Sequence, residues 1–197
     1  MSSLEELFTF YGTDKGIWGY TPAYEKYLLG RRDGPQAIKN VLEIGICGFR
    51  DIPNNVIGAS LFAWREYFPQ ATVYGIDNDP RFIFNDQWRI TTALADAYEP
   101  HALYNALQVF GAPPFDFICD DAVHDPGPQA KLCMMLWDQL APGGVYAIEE
   151  LCPYKIADFD VWEKFLVPLM QALPSISHAE VVQTHKDERL VLLTKAS

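Results

Sequence analysis

The chain reads as a doubly wound α/β sheet of seven strands with a C-terminal antiparallel hairpin, and three observations carry that reading. Five short apolar or β-branched runs alternate with stretches of helical periodicity. Two consecutive runs end in paired acids, Asp120-Asp121 and Glu149-Glu150. The last two runs, Ala179 to Thr184 and Leu190 to Thr194, are joined only by His185 to Arg189. So short a joint cannot hold a parallel crossover, which makes that pair a hairpin.

Taken in order, Ser2/Ser3 ahead of Leu4, Leu7 and Phe8 predicts a capped helix, with Glu5 and Glu6 suited to its first turn. Gly12 to Gly16 breaks it, and Pro22 lies in the first turn of a second helix that runs to about Leu29. Gly12, Gly16 and Gly19 interrupt this aromatic-rich segment, so residues 1–35 are expected to form a helical lid on a core of residues 36–197. Trp18 and Tyr20 are either a packed helix entry or part of that lid. Lys39 to Ile44 is the first strand, followed by Gly45-Ile-Cys-Gly48 and a long loop, Phe49 to Ile57. Gly58-Ala-Ser60 opens a helix with Leu61, Trp64 and Phe68 on one face. Ala71 to Asp77 is the second strand, Pro80 to Phe84 a short helix and Trp88 to Ala93 a third strand. A helix over His101 to Phe110 leads to the strand Phe115 to Cys119. The helix Gln129 to Leu140 is expected to be stopped and turned by Ala141-Pro-Gly-Gly144, ahead of the strand Val145 to Ile148. Phe159 to Leu173 reads as a long helix with Trp162, Phe165, Leu166, Leu169 and Met170 in the core.

The 197 residues are 49% hydrophobic, enough for one domain with a sizeable core. Fifteen basic residues against 26 acidic ones give a formal charge of −11, which argues against a nucleic-acid partner. Four cysteines without CxxC spacing suggest a reducing compartment. No basic leader precedes an apolar stretch, and no run of 18 apolar residues occurs, so a soluble cytoplasmic protein without a membrane partner is expected. A small or neutral substrate fits this charge better, and homo-oligomer formation is compatible with it.

In an open α/β sheet, ligands lie outside the carboxyl ends of the strands. Asp120, Asp121, Glu149, Glu150 and His124 therefore share one rim. Gly45 lets the backbone approach a ligand closely, and Asp77 ends the next strand one strand-helix-strand unit later. Carboxylates so close raise each other's pKa, a conflict that a cation resolves. A hard ion such as Mg²⁺ suits three carboxylates, whereas one histidine without grouped cysteines disfavours zinc. The competing readings are a solvated acidic rim, a capping role for Asp77 and a loop-bonded His124.

With these residues in view the chain resembles class I S-adenosylmethionine (SAM)-dependent methyltransferases, with their Rossmann-like sheet, through VLEIGICG, YGIDND and LAPGGVYAIEE. More narrowly it resembles the metal-dependent O-methyltransferases of macrolide deoxysugars and related glycosides, through YGTDKGIWGYTPAYEKYL, GASLFAWREYFPQATVYGID and the D-D-x-x-H followed by paired acids. The resemblance implies that Glu43 and Gly45 lie beside the methionine end of SAM, that Asp77 binds the ribose hydroxyls and that Asp96 stands near the adenine. Tyr20, Ser60 and Asp120 complete the implied cofactor set. Asp121, Glu149 and Glu150 would be the Mg²⁺ ligands and His124 the general base for a sugar hydroxyl. Three departures stand out: Cys47 in place of a glycine, Ala122-Val123 in place of a small polar pair, and Glu150 in place of an aspartate. The macrolide enzymes also carry an additional N-terminal domain not seen in this chain, so their assembly is not expected to transfer. A metal-independent small-molecule methyltransferase and a SAM-binding protein without turnover remain the alternatives.

Overall fold

The computed structural model describes residues 2–34, 36–46, 56–86, 88–151, 156–157, 160–184 and 189–197. The expectations placed on Cys47, on the loop up to Asn55, on Cys152 to Lys155 and on the turn His185 to Glu188 lie outside the described residues. Among the described residues eight strands form one sheet: β1 (Asn40–Ile44), β2 (Thr72–Asp77), β3 (Asn85–Asp86), β4 (Ile90–Leu94), β5 (Phe115–Asp120), β6 (Leu140–Ile148), β7 (Ile176–Gln183) and β8 (Arg189–Lys195). Their order is β3-β4-β2-β1-β5-β6-β8-β7. Seven are the expected strands, with β4, β2, β1, β5 and β6 mutually parallel. β8 enters antiparallel between β6 and β7. The eighth, β3, is a two-residue antiparallel edge on β4, too short to leave any alternation in the sequence.

Helices cover both faces. α4 (Pro100–Val109), α5 (Pro126–Leu136) and α6 (Val167–Ala172) pack on one side through Leu103, Leu107, Leu132, Leu136 and Leu169. On the other side, α1 (Leu4–Tyr11), α2 (Thr21–Leu28) and α3 (Ala59–Tyr67) contribute Leu4, Phe8, Tyr24, Leu28, Leu61 and Trp64. Side chains alternate across a strand, so Leu42 and Ile44 of β1 join the first cluster and Val41 the second. Glu43 shares the face of Val41, which carries its carboxylate toward α3.

The N-terminal segment departs from the expected cover. Phe8, Tyr20 and Tyr24 are fully buried, and Phe8 and Tyr24 meet the Trp64 ring edge-on at 5.1 and 5.2 Å. α1 is closed at its start by a capping box of Ser3 and Glu6 and at its end by Gly12 at φ 72°. Its aromatic content therefore builds a core layer, and residues 2–34 do not line the cleft described below.

Two further expectations are corrected. Ala141 to Gly144 is not a turn: it lies within β6, where the register with β5 shifts between Phe115 and Phe117 and the extra residues are absorbed as an irregularity. The α-helix before it ends at Leu136 and passes into a 3₁₀ turn, Trp137–Gln139. The long C-terminal helix begins as a π-helical stretch, Val161–Leu166, with Val167 N–H bonded to Trp162 O. Pro168 cannot donate to the carbonyl four residues back, and its ring crowds that carbonyl, which favours the wider winding there. The wider turn changes the helical phase, and Trp162, expected in the core, is 51% exposed.

Candidate functional site

The strand ends are held in line by ladder bonds that continue one residue past the strands. Gly45 N–H bonds Ile76 O, Asp121 N–H bonds Ile44 O, and Glu149 N–H bonds Asp120 O, each at 2.9 Å. A cleft of about 460 Å³ opens above the ends of β1, β2 and β4. Its lining includes Gly45, Asp77, Asp96 and Asp121, and also Phe82 and Tyr98, to which the sequence assigned no role. Gly45 is required here by geometry. Its φ is +82°, and a Cβ would fall 2.2 Å from the Asp121 carbonyl oxygen.

Asp77 fills the capping role weighed for it. Its Oδ2 accepts Ile46 N–H at 3.0 Å and its Oδ1 accepts Asp79 N–H at 2.9 Å, so it fixes the loops on both sides of the cleft. Each carboxylate oxygen keeps a second lone pair for a ligand hydroxyl. Asp96 is exposed and accepts Tyr98 N–H at 3.0 Å.

The other four members of the expected cofactor set do not reach the cleft. Tyr20 is 0% exposed. Glu43 is buried, with Oε1 taking Ser60 Oγ–H and Oε2 taking Trp64 Nε1–H, both at 2.7 Å. Ser60 and Glu43 are thus each other's partners beneath the floor. Asp120 is fully buried, one of its oxygens has no partner, and burial together with the neighbouring Asp121 charge pushes its pKa up to about 7.

At the acid rim the decisive group is Lys15, which the sequence reading quoted inside YGTDKG and assigned nothing. Its side chain is 1% exposed, and Nζ lies 2.7 Å from Asp121 Oδ2, 2.8 Å from Glu149 Oε2 and 3.3 Å from Glu43 Oε1. The cation that the crowded carboxylates call for is an ammonium from the same chain. Burial works against its charge, but the surrounding acids hold its pKa well above the usual lysine value. One ammonium cannot neutralise three carboxylates. Burial opposes ionisation of Asp121, yet Lys15 and His124 hold it below the usual range, whereas burial raises Glu43 and Glu149. Glu149 also accepts the Tyr24 hydroxyl, and Gln129 Nε2–H pins its carbonyl at 2.8 Å. The signal that could have found Lys15 is a single lysine among glycines and aromatics ahead of the first strand.

His124 stands outside this knot, with Nε2 3.3 Å from Asp121 Oδ1 and Nδ1 2.5 Å from Glu150 Oε2. Burial alone would lower its pKa, but Asp121 and Glu150 raise it to about 10. Glu150 therefore faces His124 and Glu149 faces Lys15. Among the described residues no three His, Cys, Asp or Glu side chains converge to hold a metal. The expected trio Asp121, Glu149 and Glu150 does not fit an ion in this arrangement, because Lys15 Nζ already stands between the first two.

Comparison with known proteins adds the following. No protein-family model matches the chain. It is 34% identical over 142 residues to the 8-demethyl-8-alpha-L-rhamnosyl tetracenomycin-C 2'-O-methyltransferase of Streptomyces olivaceus, covering 72% of this chain and 35% of that protein. It is 33% identical over 152 residues to the demethylmacrocin O-methyltransferase of Streptomyces fradiae, covering 75% of this chain and 36% of that protein. Among solved structures it resembles MycE methyltransferase in complex with Mg, S-adenosylhomocysteine (SAH) and mycinamycin VI, with a TM-score of 0.75, 25% identity and coverage of 99% of this chain and 55% of that one. The chain thus spans about a third of the length of the curated relatives it matches. Among the described residues no helix is long and apolar enough to cross a membrane.

Proposed function

We propose that this chain, a relative of the sugar O-methyltransferases in sequence and of MycE in fold, is a SAM-dependent O-methyltransferase domain acting on a hydroxyl of a sugar or glycosylated small molecule. One observation carries the reading: the cleft outside β1, β2 and β4 presents the Gly45 backbone and the Asp77 carboxylate together, the two features a nucleoside cofactor needs at this position of the fold. Asp77 holds the ribose hydroxyls on its spare lone pairs, while Phe82 and Tyr98 bound the cleft and Asp96 stands at its open side.

Methyl transfer from a sulfonium is an in-line displacement, so the protein's task is to align an oxygen with the methyl group and to take its proton. His124 is the residue for that proton, since its side chain remains 33% exposed at the rim while Glu43 and Glu149 are sealed. The two carboxylates that hold its ring favour the charged form, and only its neutral fraction accepts a proton. The Mg²⁺ named with MycE enters here as a proposal. A metal-independent methyltransferase is the second reading, favoured by the ammonium already seated between Asp121 and Glu149.

Calorimetry with SAH tests the cofactor half. Asp77→Ala should lose about 1.5–3 kcal/mol of binding, the range for hydrogen bonds to a charged group. Unchanged SAH affinity in the folded variant would remove the assignment. Turnover of a panel of rhamnosides and deoxysugar glycosides with and without chelator, read as SAH release, tests the acceptor class and separates the two readings.

A further inference from the structure

We propose that Lys15 Nζ and a divalent cation are mutually exclusive occupants of one place, between Asp121 and Glu149, so that an ion enters only when the segment Asp14 to Gly19 withdraws. The inference rests on reading the acid rim as the acceptor end of the site.

The geometry leaves no room for both. Nζ sits within 2.8 Å of an oxygen from each of the two acids, in a spot sealed to 1% exposure. Oxygen ligands approach Mg²⁺ at about 2.0–2.1 Å and Ca²⁺ at about 2.3–2.6 Å. An ion bound by the same two oxygens would lie almost on top of the ammonium, with charge of the same sign. The two acids also arrive on fixed strand ends, whereas the lysine does not. Asp121 and Glu149 are locked by the ladder bonds to Ile44 and Asp120, while Lys15 sits on a stretch whose backbone bonds are mostly local. Trp18 N–H bonds Asp14 O, Gly19 N–H bonds Gly16 O and Tyr20 N–H bonds Lys15 O. Gly12 and Gly19, at φ 72° and 80°, flank that stretch. The helices on either side are anchored separately, α1 by Leu4 and Phe8 and α2 by Tyr24 and Leu28, all fully buried. Tyr20 is itself fully buried at the start of α2, so the part that can leave the rim is Asp14 to Gly19, pivoting between the two anchored helices. Once it leaves, the two oxygens that held Nζ lose their counter-ion together, with only His124 left beside Asp121 and the Tyr24 hydroxyl beside Glu149, and a replacement cation is favoured there.

The test is titration of Mn²⁺ alone into the wild type and into Lys15→Met, by calorimetry, with SAH titrated separately into each as the measure of an intact cofactor site. Lys15→Met follows the aliphatic stem, stops one atom short of Nζ and removes the charge, so it should bind Mn²⁺ about tenfold or more tighter than the wild type. Equal Mn²⁺ affinity in the two proteins, or none in a Lys15→Met protein that still binds SAH, overturns the proposal. Loss of SAH binding in both proteins would sink the methyltransferase reading while the Mn²⁺ comparison still decides the exchange. If Lys15→Met does not fold, amide hydrogen exchange on the wild type decides instead. At saturating Mn²⁺ the amides of Trp18, Gly19 and Tyr20 should lose protection, and unchanged protection overturns the proposal.

Discussion

His124 Nδ1 lies 2.5 Å from Glu150 Oε2, and both residues adopt left-handed backbone conformations, at φ 45° and 50°. A non-glycine residue held there costs about 1–3 kcal/mol. The loops after β5 and β6 each carry that strain at one residue, and the product is a carboxylate-imidazole contact at the mouth of the site. A charge-assisted bond of this kind contributes about 1.5–3 kcal/mol, enough to offset one of the two strained residues.

Glu150→Asp should break this contact without harming the backbone, because aspartate tolerates the left-handed region and its carboxylate is one methylene shorter. With one of its two carboxylates gone, the His124 pKa should fall from about 10 toward the ordinary histidine value. NMR titration of the imidazole reads this directly. An unmoved pKa would show that Asp121 alone sets it.

His124→Ala should lower kcat by about 10² to 10⁴ with SAH affinity nearly unchanged, the usual cost of removing a general base. Because the ring is held in its charged form, wild-type turnover should climb as pH rises toward about 10. Turnover in the alanine variant within threefold of wild type would rule out His124 as the base.

Gly45→Ala places a methyl group 2.2 Å from the Asp121 carbonyl oxygen at a backbone angle that suits glycine. The strand-end bond between Ile44 and Asp121 must then open. Stability should fall by about 1–3 kcal/mol in urea melts, with SAH affinity falling as well. A variant matching wild type in both would mean that the two loops are not in contact in solution.

Asp120→Asn tests the orphaned carboxylate. The native pKa of Asp120 is raised to about 7 from an ordinary 3.8, so the folded state holds this proton longer than the unfolded chain. Stability from this group is full below about pH 4, declines as pH rises toward 7 and stays low above it. In chelator-treated protein, wild type should therefore lose stability relative to Asp120→Asn between pH 4 and 8. Parallel stability curves for the two would exclude the shift.

Strand placement was legible because apolar runs bounded by glycine, proline and acids report burial locally. β1, β2, β4, β5 and β8 were located to within two residues by that signal. Cleft residues at strand termini, Gly45, Asp77, Asp96 and Asp121, were legible for the same reason. What failed were facts of facing and of distance along the chain. Glu43 sits in a strand whose alternation sends it under α3, to Ser60 and Trp64, rather than up to the cleft. Trp162 was misplaced because a π-helical stretch breaks the 3.6-residue period on which the assignment relied. Lys15 could not be found from spacing, since its partners are 106 and 134 positions away.

That separation also sets an order of events during synthesis. Lys15 leaves the ribosome long before Asp121 and Glu149 exist, so for most of translation the ammonium has no counter-charge and its segment no berth. The sheet can assemble through β6 with its acids still hydrated, and the inner face of the site closes only when the early segment returns to them. Completion of the rim is thus a docking event between parts of the chain made well apart in time, one that joins charge to charge as well as apolar surface to apolar surface.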